Sequence, residues 1–253
     1  MKSNKSFKIV GIVGGAGPEA SNKFCELLIK YKNKKKDQDN IPFLHFSNPQ
    51  IPDRTEAILG RGESPTKEII KTCNSLKKAG ADFLIIPCNT AHYFLPEIQE
   101  KVSIPIVNMI ALLVKQIKLE NPKITRVGLL ATTGCIRGGI FEDYLRRVGI
   151  EVIKPTNSEQ SSLVMEAIYG KNGIKVGKKA HAKHLLTEAA NSLILNGAEA
   201  VILGCTEIPL VLKQKDFYNK LYDPMEVSAR QIINFVESKN DVVEAKQRLE
   251  VFG

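Results

Sequence analysis

The sequence has no tryptophan and few other aromatic residues, with 6 tyrosines and 10 phenylalanines among 253 residues. It also lacks any stretch of about 18 uninterrupted apolar residues, the length that a membrane-spanning helix needs. The first residues, Met1 to Lys8, are polar and lead directly into a predicted strand. We therefore expect a soluble, cytoplasmic protein with no membrane contact.

Cysteine is scarce and irregularly spaced. The chain has 5 cysteines, an odd number, and 43% of its residues are hydrophobic, so a chain of this length can bury a large core without disulfides. Reduced thiols are therefore expected. The cysteines are Cys25, Cys73, Cys88, Cys135 and Cys205.

Acidic residues are fewer than basic ones, 27 against 36, which gives a net charge of +9. Such a charge is compatible with nucleic-acid binding or with attraction of an anionic substrate. The densest cluster, Lys30 to Lys36, falls where the first predicted helix ends, and cations there complement the helix dipole. We interpret it as a solvated helix end and expect no nucleic-acid partner.

Apolar runs and helical repeats alternate along the chain, which predicts an α/β fold with parallel sheets and helices on both faces. The predicted strands span residues 8–14, 43–47, 83–88, 104–109, 126–131, 151–154 and 200–204. The predicted helices span residues 18–31, 64–79, 96–101, 141–148, 158–168, 178–195 and 223–251.

Two apolar runs end on a cysteine that is followed by small polar residues, one at Cys88 and one at Cys205. The first strands of the two halves begin near Val10 and Val127, so both offsets are 117 residues (127 − 10 and 205 − 88). The equal offset indicates a duplicated lobe. Ligands bind at the carboxyl ends of strands in open α/β sheets, so two facing lobes would bring both thiols to one cleft.

Six short motifs occur in the order found in a known family, and together they resemble the cofactor-independent aspartate/glutamate racemases, most closely the aspartate racemase branch. The motifs are Gly-Gly-Ala-Gly-Pro at 14–18, Asn-Pro-Gln-Ile-Pro-Asp-Arg-Thr at 48–55, Cys-Asn-Thr-Ala-His at 88–92, Gly-Leu-Leu-Ala-Thr at 128–132, Ile-Lys-Val-Gly at 174–177 and Gly-Cys-Thr-Glu at 204–207. The sequence departs from the family pattern at Ala16, where methionine is common, and at Cys135, where threonine is usual.

The resemblance implies two similar α/β lobes related by pseudo-twofold symmetry, with the active site in the cleft between them. It also implies a C-terminal segment that returns to the first lobe, and commonly a homodimer. We accordingly predict a first lobe formed by residues 1–108 and 220–253, and a second lobe formed by residues 109–219.

The resemblance implies that Cys88 and Cys205 are the catalytic bases. The α-proton of an amino acid is a very weak acid, and without a pyridoxal phosphate (PLP) cofactor the enzyme must supply a strong base itself. A thiolate near a helix start is stabilised by backbone N–H groups and by the helix dipole. One cysteine would remove the proton and the other would return one from the opposite face.

The resemblance also implies the residues that bind an acidic amino acid. Arg54 and Lys175 match positions for the distal carboxylate, and a guanidinium suits bidentate carboxylate binding. Gln50 is expected to assist, and small polar residues at the strand ends are expected to hold the α-carboxylate. These residues are Asn89, Thr90, Thr132 and Thr206. No cofactor and no metal are expected.

Other functions remain open from the sequence. Residues 15–20 fit a loose form of the dinucleotide-binding fingerprint, which would indicate an oxidoreductase, but the acidic residue that binds the ribose in that motif is missing. Related superfamily enzymes include broad-specificity amino-acid racemases, hydantoin racemases and maleate isomerases. A non-catalytic binder of acidic ligands is the alternative outside enzymology.

Overall fold

Two four-stranded parallel sheets form the frame of the protein in the computed structural model, which describes residues 8–237. The strand order is β2-β1-β3-β4 in the first sheet and β6-β5-β7-β8 in the second. This matching order confirms the predicted α/β class with two similar lobes. The strands are β1 Val10–Gly14, β2 Phe43–Ser47, β3 Phe83–Ile85, β4 Ile106–Val107, β5 Arg126–Leu130, β6 Glu151–Ile153, β7 Ala200–Leu203 and β8 Lys220–Tyr222.

Helices connect successive strands and cover the sheets, as parallel pairing requires. Within residues 8–237, none of them is both long and apolar enough to cross a membrane. The helices are α1 Pro18–Tyr31, α2 Arg54–Ile58, α3 Thr66–Lys78, α4 Leu95–Lys101, α5 Met109–Glu120, α6 Thr133–Arg137, α7 Glu142–Arg147, α8 Asn157–Glu159, α9 Glu166–Tyr169, α10 Lys179–Leu195 and α11 Pro224–Glu237. A π-helical segment, Gln160–Met165, joins α8 to α9.

The central strands of the two sheets occupy equivalent places. Val10 of β1 is in register with Phe43 and Phe83, and Val127 of β5 is in register with Val152 and Ala200. Both strands are buried in the middle of their sheets, apart from the exposed first residue of β5. The offset of 117 residues therefore corresponds to equivalent positions in the two sheets.

Helix α5 packs into the cores of both sheets. Met109 and Leu112 belong to the apolar cluster of the first sheet, whereas Ile110 and Leu113 belong to a cluster of the second. The sequence patterns did not predict this helix, because most of its faces are apolar and its helical periodicity is weak. It joins the two halves through a continuous apolar contact.

The C-terminal helix α11 returns to the first lobe, where Met225 and Ala229 pack in the same cluster as Phe24 of α1. The helix was predicted over residues 223–251, and its part after Glu237 lies outside the described residues. Strand β8 pairs with β7 of the second sheet, although the predicted boundary placed residue 220 in the first lobe. The lobe boundaries therefore stay a prediction.

Candidate active site

The carboxyl ends of β3 and β7 deliver Cys88 and Cys205 to one cavity between the two sheets. Cys88 precedes a 3₁₀ turn, Asn89–Phe94, and Cys205 follows the buried strand β7. Residues from both halves of the chain line this cavity. They are Ala16, Arg54, Cys88, Asn89, Thr90, Thr132, Tyr169, Lys175, Cys205, Thr206 and Glu207.

The cavity is nearly closed. Its volume is about 10 Å³, which is space for roughly one water molecule. A ligand of the size of an amino acid is much larger, so the two walls would have to separate to admit one. A closed site of this kind excludes water and strengthens every electrostatic contact inside it.

Arg54 brings a buried cation to the Cys88 thiol. Its side chain is held by the main chain, since Nη1 donates to the carbonyl oxygens of Ile51 at 3.3 Å and Pro52 at 3.0 Å. Burial by itself would lower the pKa of Arg54. The nearby Cys88 and Asp53 act in the opposite direction and outweigh burial, so the pKa of Arg54 lies above its ordinary value. Arg54 Nε is buried and has no partner within residues 8–237, which leaves a donor available to an anion.

Cys205 has a different electrostatic environment. Burial raises the pKa of its thiol to about 12, and the carboxylate of Glu207 adds to the rise. The main-chain N–H of Glu207 and the charge of Lys175 act in the opposite direction. Cys205 is therefore a protonated thiol at neutral pH, next to a carboxylate, whereas Cys88 lies next to a guanidinium.

His92 contacts the main chain of Cys88 and not its sulfur. Nδ1 is 3.0 Å from the Cys88 carbonyl oxygen, and Nε2 accepts a hydrogen bond from the N–H of Met109 at 3.1 Å. Burial lowers the pKa of His92 to about 4, so the ring is neutral, with Nδ1 as its donor. The imidazole thus ties the Cys88 turn to the start of α5.

The small polar residues meet across the lobes. The hydroxyls of Thr90 and Thr132 are 3.0 Å apart, and Thr132 also accepts from the N–H of Cys135, which caps α6. The side-chain oxygen and nitrogen of Asn89 are buried and unpaired within the described part of the chain. Asn89 therefore has donor and acceptor capacity to offer a ligand.

Tyr169 lines the cavity and was not predicted from the sequence. Its hydroxyl donates to Asp53 Oδ2 at 3.3 Å, and Lys175 Nζ lies 5.1 Å from the centre of its ring. Burial raises the pKa of the phenol. Tyr169 therefore bridges the second lobe to Asp53, which caps the helix α2 that begins at Arg54, and no local sequence pattern signals such a long-range contact.

The structure does not bring Gln50 to the cavity. Its side chain is exposed, and its N–H donates to Asn48 Oδ1 in a turn before Arg54. The other predicted residues all line the cavity. Within residues 8–237, no group of three or more His, Cys, Asp and Glu side chains is arranged to hold a metal ion.

Comparison with known proteins finds several racemases. The family model described as Asp/Glu/Hydantoin racemase matches residues 13–232. The structure of Picrophilus torridus aspartate racemase superposes with a TM-score of 0.81 and 31% identity, over 91% of this chain and 94% of that one.

Two curated relatives have other substrates in their names. The broad specificity amino-acid racemase RacX of Bacillus subtilis is 28% identical over 81% of this chain and 87% of its own length. The glutamate racemase of Aquifex aeolicus is 29% identical over 67% of this chain and 65% of its own length.

Proposed function

Because this chain belongs to the Asp/Glu/hydantoin racemase family, we propose that it interconverts L- and D-aspartate without PLP, with Cys88 and Cys205 as its two bases. Family membership rests on a match that covers most of the chain, and it confirms the resemblance inferred from the six motifs. The assignment of aspartate as the substrate and of roles to individual residues is our proposal.

One observation carries this proposal. Two cysteines from equivalent strand ends of the two lobes line the same closed cavity, together with Arg54 and Lys175. A racemase must act on both faces of one carbon, and two thiols from opposite lobes supply a proton acceptor and a proton donor. The two cations supply partners for the side-chain carboxylate of an acidic amino acid.

The surroundings of the two cysteines suggest how a turnover begins. The guanidinium of Arg54 lies beside Cys88 and suits it to the role of proton acceptor, whereas the raised pKa of Cys205 keeps that residue protonated as the proton donor. In this direction the Cα–H bond breaks and an S–H bond forms at Cys88. The S–H bond of Cys205 then breaks and a new Cα–H bond forms on the opposite face. The two cysteines end in exchanged protonation states, ready for the reverse direction.

Several features favour stabilisation of the carbanion that forms between these two steps. The cavity has space for only about one water molecule, and donors at Asn89, Thr90 and Thr206 surround it. Preorganised donors in a dry site stabilise developing charge more strongly than water does. We propose that these groups bind the α-carboxylate, where the carbanion's charge delocalises, and that Arg54 and Lys175 bind the side-chain carboxylate.

Proton exchange tests the proposal directly. Purified, reduced protein is incubated with L- or D-aspartate in deuterated water, and deuterium at the α-carbon and chirality are measured. We expect incorporation with inversion from both enantiomers, and its loss in Cys88→Ala and Cys205→Ala. Cys73→Ala is the matched control, because Cys73 is also a buried cysteine but lies outside the cavity. Retained racemisation in either active-site variant would refute the two-thiol mechanism.

A broad-specificity amino-acid racemase is the second candidate, favoured by the similarity to RacX over 81% of this chain. A neutral amino acid would bring no side-chain carboxylate to the two cavity cations, which costs free energy in a buried site. A panel of amino acids in the same exchange assay separates the two candidates.

A homodimer in the cytoplasm remains our prediction, and sedimentation velocity of the full chain would test the dimer.

A further inference from the structure

Glu207 places a carboxylate in a cavity whose other charged residues are cations. It is the one Asp or Glu among the cavity-lining residues of the described chain, where it accompanies Arg54 and Lys175. Its side chain is only 6% exposed. A buried carboxylate costs considerable free energy unless a cation or several donors accompany it. The position therefore calls for cationic partners.

Lys175 satisfies this carboxylate only in part. The distance from Lys175 Nζ to Glu207 Oε1 is 3.5 Å, at the outer limit of a hydrogen bond. Lys175 also lies over the Tyr169 ring, and 26% of its side chain is exposed. In the chain from residue 8 to residue 237, no hydrogen bond reaches the other oxygen, Oε2. Glu207 thus retains capacity for a second cation.

The carboxylate is fixed at the junction of the two lobes. A Cβ atom on Gly17 would lie 2.5 Å from Glu207 Oε1, so the first-lobe loop approaches Glu207 through a glycine with φ of 112°. The main-chain N–H of Glu207 meanwhile faces the Cys205 sulfur. A cation bound to this carboxylate would consequently sit beside a catalytic thiol, close to the reacting carbon.

The charges of the cavity mirror those of an acidic amino acid. Such a substrate has two carboxylates and one ammonium group, and the cavity has two cations and one carboxylate. We propose, as an extension of the proposed racemase function, that Glu207 binds the α-ammonium group of the substrate. Glu207 thereby selects α-amino acids over dicarboxylates of the same length that lack the amine.

Binding of L-aspartate and of succinate tests this pairing, because the two differ only in the ammonium group. Both are titrated calorimetrically into the full chain and into Glu207→Gln. We expect the parent protein to prefer aspartate, and we expect Glu207→Gln to weaken aspartate binding by about tenfold or more. Succinate binding should change by less than about threefold, since it never used this carboxylate.

Three further variants make the result specific. Lys175→Gln should weaken both ligands, because both carry the distal carboxylate. Glu207→Asp should keep part of the preference for aspartate. Glu226→Gln, on α11 and outside the cavity, is the matched control for loss of a carboxylate. Thermal unfolding of every variant confirms that it is folded.

The outcomes separate this inference from the proposed function. Equal weakening of both ligands in Glu207→Gln, no change, or a parent protein that does not prefer aspartate would overturn the ammonium assignment. The exchange assay in deuterated water tests the racemase function independently of binding. If deuterium is incorporated but Glu207→Gln weakens both ligands equally, only the ammonium assignment is wrong. If aspartate binding depends on Glu207 but no deuterium is incorporated, only the racemase function is wrong.

Discussion

Gly134 is the residue at which the closure of the two lobes can be perturbed most directly. It lies in α6 of the second lobe, and a Cβ atom added there would lie 2.7 Å from the Cα of Thr55 in α2 of the first lobe. Ordinary contact begins at 3.4 Å, so the two helices must separate by 0.7 Å (3.4 − 2.7) to bring an alanine at this position to ordinary contact. The contacted atom is main chain and cannot rotate away.

The displacement falls on the proposed catalytic residues because Thr55 directly follows Arg54, the cation next to Cys88. A misplacement of about 1 Å in an active site can reduce the rate by about 100-fold. We therefore expect Gly134→Ala to lower kcat/KM for aspartate by about 10-fold to 100-fold. Alanine favours a helix by about 1 kcal/mol over glycine, so the free energy of unfolding should fall little.

Gly138→Ala is the matched control. Gly138 ends the same helix, and a Cβ atom there meets the ring of Tyr93 at 2.8 Å. Tyr93 is a flexible side chain that is 49% exposed, so it can move aside, and activity should remain within about threefold of the parent. The assay is the rate of deuterium incorporation, with urea unfolding alongside. Full activity in a folded Gly134→Ala variant would refute the idea that this contact sets the closed geometry.

Three other predictions concern His92, Cys205 and Ala16. Burial lowers the pKa of His92 from 6.5 to about 4, so the unfolded chain binds a proton at this residue more tightly than the folded protein does. The free energy of unfolding therefore decreases as the pH falls from 6.5 to 4. The decrease is about 3 kcal/mol. The free energy of unfolding of His92→Gln, measured with urea, should lack this part of the pH dependence, and a pH dependence identical to that of the parent protein would contradict the prediction. Since burial and Glu207 raise the pKa of Cys205 to about 12, its alkylation by iodoacetamide, followed by mass spectrometry, should still accelerate between pH 9 and pH 11, and a plateau below pH 9 would count against it. Ala16→Met should reduce turnover of L-glutamate more than that of L-aspartate, because a larger side chain fills the cavity wall; unchanged preference in the exchange assay would reject that role.

The elements predicted well from the sequence are those with strong local patterns. The strands that precede Cys88 and Cys205 are uninterrupted apolar runs, and α1 begins at the proline that marks its first turn. Strand β8 has only three residues, and its pairing depends on β7 some twenty residues away. A pattern of three residues carries too little periodicity to be separated from a loop.

The candidate site shows the same division between local and long-range information. Cys88, Cys205 and Arg54 were identified because they lie in motifs at predicted strand ends or in the loop that follows one. Tyr169 reaches the cavity through a contact with Asp53, 116 residues earlier in the chain. The pairing of Glu207 with Lys175 likewise spans 32 residues. Such partners are decided by tertiary packing, which no spacing rule in the sequence encodes.

Closure and substrate choice follow from the same contacts. Polar pairs such as Thr90 with Thr132 and Lys179 with Glu19 hold the cavity side of the lobes together. Water can replace each of these contacts at a small net cost, whereas the apolar packing of α5 in the cores of both sheets keeps the lobes joined. Opening is therefore inexpensive, and a ligand that contacts both walls would favour the closed state. Arg54 belongs to one wall and Lys175 to the other. Under the proposed function, the side-chain carboxylate of the substrate would contact both cations, so it would help to close the site as well as distinguish acidic amino acids.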